Sequence, residues 1–195
     1  MESDSIGKFY KLIVPKKLMS FVRVKKINGK KYAYLVSNRW RKRLAGGRKG
    51  SRQKVSKYLG KVVSFDVVLD TGFFEYVNIR DNPDYLALSK RKIVMDLVKF
   101  ELIIRGFKQN GVLLDKEGMK FDERVLKFVD SKGREQRVVI EMNEGFLCKH
   151  TISKLLNFKP RGEDEREIGI ELAKTFLEAG LKVPEEVFVG YFEKV

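Results

Sequence analysis

Three residue types are almost missing from this chain: cysteine, histidine and tryptophan occur once each, as Cys148, His150 and Trp40. A lone cysteine forms no disulfide within the chain, which suits a reducing compartment, and the sequence reads as cytoplasmic. One Cys and one His fall short of the ligand set of a structural zinc site. A Ser-His-Asp system would have to use His150, and no nucleophile elbow accompanies it. No apolar run approaches the roughly 18 residues of a membrane span. The N-terminal MESDSIGKFYKLIVP lacks a basic region followed by a long apolar one, so neither a secretion signal nor a membrane partner is expected. There is no Walker motif, no dinucleotide fingerprint and no internal repeat. The expectation is a chain without a cofactor or a metal.

Acid is the other absence, and it is local. Ser37 to Lys61, SNRWRKRLAGGRKGSRQKVSKYLGK, holds no Asp or Glu and ten Lys or Arg: Arg39, Arg41, Lys42, Arg43, Arg48, Lys49, Arg52, Lys54, Lys57 and Lys61. Residues 1–65 carry 19 basic and 2 acidic side chains, whereas residues 66–195 carry 22 and 24, so the formal charge of +15 is wholly N-terminal. Mixed signs would serve solubility as well. Like charge crowded on a small module repels itself until a polyanion relieves it, so the segregation points to nucleic acid.

At 195 residues, 43% of them apolar, the chain is long enough for one ordinary domain or two small ones with a buried core. Phe9 to Val14, closed by Pro15, reads as an edge strand or tether. Ser20 to Ile27 and Lys30 to Ser37 alternate about Asn28-Gly29, the signature of a type I′ hairpin. Gln53 to Leu59 and Val62 to Leu69 read as third and fourth strands of an antiparallel meander, with residues 39–51 as a long loop. Gly46, Gly47 and Gly50 let that loop approach a surface closely.

Residues 75–84 form a joint with turn formers at Asp81, Asn82 and Pro83. Asp84 or Ser89 then caps a helix over Lys90 to Phe107, whose core face carries Ile93, Val94, Leu97, Phe100, Leu102, Ile103 and Ile104. Residues 111–130 and 135–142 read as strands joined through Ser131-Lys132-Gly133. Asn143 is expected to cap a helix reaching Asn157. A second helix runs from Glu163 to Ala179, with Ile168, Leu172, Ala173, Phe176 and Leu177 inward and Gly180 as its C-cap. Pro184 opens a last one. The fold class expected is α+β, with a basic β-module over 1–80 and a mixed module with a helical C-terminus over 84–195.

KKINGKKYAYLVS, a basic connector and KVSKYLGKV resemble the N-terminal strand module of insertion-sequence transposases, over residues 20–61. The likeness implies DNA handling in a mobile-element or viral setting. The connector here is longer and far more basic than in that family. Residues 143–180 are similar to a helix-turn-helix or winged-helix module, but Glu163, Asp164, Glu165, Glu167, Glu171 and Glu178 would repel phosphates, so a protein partner or the chain's own basic module is expected there. High Lys and Glu with only three Gln lean toward a thermophilic source, and the resemblance implies an archaeal-type virus or plasmid protein.

Candidate chemistry is sparse. Asp66 and Asp70 share parity on the expected fourth strand and, with Glu75, could hold Mg²⁺ in a nuclease. LCKHTISKLL, residues 147–156, resembles the His/Arg helix of tyrosine recombinases, with Tyr191 as the late tyrosine, but the remaining members of that set are not evident. The reading favoured is a non-catalytic nucleic-acid-binding protein, DNA ahead of RNA. Its contacts are Arg39, Trp40, Arg41, Lys42, Arg43, Arg48, Lys49, Arg52, Lys54 and Lys57, with Tyr32 and Tyr34 available to stack if the target is single-stranded. A metal-dependent nuclease or recombinase is the alternative, and an interaction protein with an RNA-binding module the second. Pairing into a homodimer is a further expectation.

Overall fold

The computed structural model describes residues 20–41, 50–78, 83–161 and 164–195. It shows an α+β chain with strands leading and helices closing. Two compact units result: residues 1–23 with 34–58, and residues 24–33 with 59–195.

Strand β1, Ser20–Ile27, turns through Asn28 (φ 50°) and Gly29 (φ 76°) into β2, Lys30–Arg41. Both φ values are positive, as a type I′ turn demands, so this hairpin forms where the sequence places it. Strand β3 is Gly50–Ser64. The first unit takes the distal lengths of these strands. There Ser56 Oγ donates to the Leu35 carbonyl at 2.9 Å, the Tyr34 and Tyr58 rings stand 5.4 Å apart, and Val36 is buried.

The expected third and fourth strands are one. Gly60 does not end β3, because the start of another strand crosses it closely. A Cβ on Gly60 (φ 155°) would lie 2.3 Å from the Arg137 carbonyl oxygen, and the Lys61 amide donates to that oxygen at 2.9 Å. Strands β4 to β8, Lys108–Asn110, Leu113–Lys116, Met119–Asp122, Lys127–Val129 and Glu135–Gln136, form an antiparallel meander in that order. Strands β9, Val138–Met142, and β10, Gly145–Leu147, return to the first sheet, whose order is β1-β2-β3-β9-β10. Lys61 to Ser64 of β3 pair with Val138 to Glu141 in parallel, so the N-terminal sheet is not the purely antiparallel meander expected. Phe65 to Leu69 lie beyond the strand; the amides of Val68 and Leu69 donate to the Ile104 carbonyl instead.

Helix α1, Phe73–Tyr76, and a 3₁₀ turn, Pro83–Ala87, precede α2, Lys90–Ile103. Ser89 is the N-cap of α2, its side chain accepting from the Lys92 amide at 3.3 Å. The helix is the second unit's core: Ile93, Val94, Leu97, Val98 and Leu102 are wholly enclosed. Three more helices follow, α3 (Lys149–Leu156), α4 (Glu165–Ala179) and α5 (Glu185–Phe192). Helix α4 runs from Asp164, whose side chain accepts from the Arg166 amide, to Gly180 in the left-handed conformation (φ 73°). Leu172, Phe176 and Ala179 face inward, but Leu177, expected with them, is 57% exposed.

Asn143 caps no helix. With Glu144 it forms the β9-β10 turn at φ 44° and 65°, and α3 begins only after Cys148. The reason is a buried polar cluster. Glu101, in the last turn of α2, and Arg105, just past its C-cap, form an ion pair with Glu101 fully buried and Arg105 3% exposed. Asn143 Nδ2 donates to Glu101 Oε2 at 2.8 Å and to the Gly180 carbonyl at 3.0 Å, and its Oδ1 accepts from Arg105 Nη2 at 3.0 Å. The Lys182 amide donates to the remaining Glu101 oxygen at 3.1 Å. Every polar group here is matched, the condition under which buried charge is tolerated. A close backbone seat holds the turn against α4: a Cβ on Gly145 would lie 2.0 Å from the Leu177 carbonyl oxygen.

Candidate nucleic-acid interface

In the first unit the described residues, 20–23, 34–41 and 50–58, include six Lys or Arg and no acid. Arg52, Lys54 and Lys57 stand exposed on β3, and Arg23 is exposed on β1. None of these four makes an ion pair among the described residues. Strand geometry orders them: Arg52 and Lys54 share a face about 6.6 Å apart along the strand, the same parity as Tyr58, while Lys57 points to the other. β-branched and aromatic residues interleaved with the cations explain why so charged a segment is still a strand. Val55 stays 44% exposed beside them.

Both ends of the loop expected over 39–51 are strand. Arg39, Trp40 and Arg41 belong to β2, and Gly50 and Ser51 to β3. Lys42, Arg43, Arg48 and Lys49 lie outside the described residues, as does the expected strand over 9–14. Arg52, Lys54 and Lys57 on β3 share one sheet with Arg23 on β1, two strands away. The sequence reading left Arg23 out because it lies in the hairpin strand, outside the acid-free segment 37–61; the signal was that its own strand also carries Lys25 and Lys26 and no acid. Tyr34 and Tyr58 are half-buried against each other, so Tyr34 is part of the sheet's packing.

The candidates for catalysis stand elsewhere. Asp66 and Asp70 are exposed beyond the end of β3, so strand parity does not pair them. Glu75 belongs to α1 and accepts from Thr71 Oγ1 at 2.8 Å. Among the described residues no three His, Cys, Asp or Glu side chains are grouped to hold a metal ion. Cys148 is buried as the N-cap of α3, and burial pushes its thiol up from the usual range. Tyr191 is 1% exposed and donates to the Leu155 carbonyl at 3.0 Å, with its hydroxyl pushed up to about 12 by desolvation. A recombinase tyrosine must reach a phosphate as a nucleophile, and this hydroxyl is enclosed and committed. On α4, Glu178 pairs with Lys154, and Glu171 lies 3.8 Å from Arg161. No described helix is long and apolar enough to cross a membrane. Comparison with family models, with curated proteins and with solved structures finds no match to this chain.

Proposed function

We propose that the chain is a non-catalytic nucleic-acid-binding protein whose first unit holds the phosphate backbone. The observation that carries this reading is the set of exposed cations at Arg23, Arg52, Lys54 and Lys57, in a unit whose described strands contain no carboxylate to neutralise them. Cations so placed lose little on meeting phosphates and release condensed counterions when they do. Contacts of this kind fix position without reading bases. The likeness of residues 20–61 to a transposase strand module puts DNA ahead of RNA and a mobile element or virus as the setting. The acidic helix α4 belongs to a protein partner or a second copy of the chain, since phosphates would be repelled there.

The test is a titration of duplex DNA, single-stranded DNA and RNA at several salt concentrations. Wild type is compared with a variant carrying Arg52→Gln, Lys54→Gln and Lys57→Gln. Three lost phosphate contacts should flatten the slope of log affinity against log salt by about 2 to 3, at roughly 0.9 per contact on duplex DNA. An unchanged slope removes these residues from the interface.

A further inference from the structure

Within the second unit, a cleft of about 740 Å³ runs between the 3₁₀ turn and helix α5, lined by Leu86, Ala87, Glu185, Glu186, Val189, Gly190, Glu193 and Lys194. Its floor is apolar. Val189 is 48% exposed there, and Gly190 leaves room where a Cβ would press on Leu86 at 3.3 Å. Its rim carries three glutamates and one lysine, and none of the three glutamates makes an ion pair among the described residues. Glu185 and Glu186 occupy the first turn of α5, where the helix dipole alone would account for them. Glu193 is the C-cap, where the same dipole disfavours an anion, so the helix gives no reason for it. The two ends of the rim are separated by about 12 Å along the axis.

From this charge complementarity we infer that the cleft is the docking site for a basic, partly apolar peptide segment of a partner protein: one aliphatic side chain over Val189 and Leu86, with Lys or Arg to either side meeting Glu185, Glu186 and Glu193. The apolar floor distinguishes it from a simple cation site, and the acidic rim excludes nucleic acid. The inference does not depend on the first unit's function.

The probe is a short fluorescein-labelled peptide with leucine flanked by arginines, measured by anisotropy against the full chain, with an isomer carrying glutamate for arginine as control. Saturable binding of the arginine peptide alone is expected, weakening with salt as rim charges are screened. The exposed triple variant Glu185→Lys, Glu186→Lys, Glu193→Lys should lose roughly tenfold or more in affinity while still melting cooperatively, its midpoint lowered only by the lost helix-dipole stabilisation at Glu185 and Glu186. Val189→Asp should weaken binding as well, because it places a charge on the apolar floor. The Arg52, Lys54, Lys57 variant should bind as wild type. Equal binding by the two peptides, or full binding by the charge-reversed variant, overturns the proposal.

Discussion

In the first unit the described strands bear Arg23, Arg39, Arg41, Arg52, Lys54 and Lys57 with no acid among them. In the second, many cations are set against carboxylates: Lys92 with Asp96 at 2.7 Å, Arg124 with Asp122 at 2.8 Å, Arg134 with Asp130 at 2.7 Å, and Lys99 with Glu123. Its most deeply buried ion pair, Glu101 with Arg105, is enclosed and hydrogen-bonded on every side. The contrast separates two uses of charge. In the core and the β4 to β8 meander of the second unit these charges are internally matched and belong to the architecture. On the first unit it is left open, and nothing in the described strands offers to close it.

Glu101→Ala tests that contrast most severely. It strands the Arg105 guanidinium in the core and should cost about 3 to 5 kcal/mol of unfolding free energy in a denaturant titration. Next comes Gly145→Ala, whose Cβ must push apart the turn and the end of α4. A loss of about 3 kcal/mol is expected, the upper end for overpacking because the obstacle is backbone. Ser89→Ala removes the α2 cap and should cost about 1 kcal/mol. Replacing Arg52, Lys54 and Lys57 by Gln should leave stability within about 0.5 kcal/mol, since exposed unpaired cations hold nothing in place. A large change in that variant would mean that the first unit's charge is structural after all.

The pH response gives the finest distinction. Asp122 is held below the usual carboxylate range by its hydrogen bonds to Arg124, Asp130 by those from the Arg134 amide and side chain, and Glu135 by Lys127. Each folded value is depressed, so the stabilisation is complete above the unfolded value near 4 and fades as pH falls through the folded one. Acid unfolding followed by amide exchange should open the β4 to β8 meander first, while the first unit, whose described residues include no carboxylate, stays indifferent over the same window.

The charge reading and the fold reading differ in how far the sequence carries them. Charge is a sum over side chains and survives any folding, so the segregation at residue 65 was visible without coordinates. The exposure of Arg52, Lys54 and Lys57 was not, because only packing says whether a strand's faces are covered, and here both are open. Asn143 shows the same limit. Its residue type suits a helix cap and a left-handed turn equally. The partners that decide between them, Glu101 and Arg105, lie 42 and 38 residues away.

What the sequence determined by itself is local: the Asn28-Gly29 turn through the sign of φ, the Gly180 cap through bonds spanning a few residues, and the lopsided charge. Tertiary structure alone decided the union of the third and fourth strands across Gly60, their parallel partner β9 and the closure of the Glu101–Arg105 pair. Each of these depends on a backbone or side chain far off in sequence approaching closely, and a contact of that kind leaves no periodic trace in the chain that makes it.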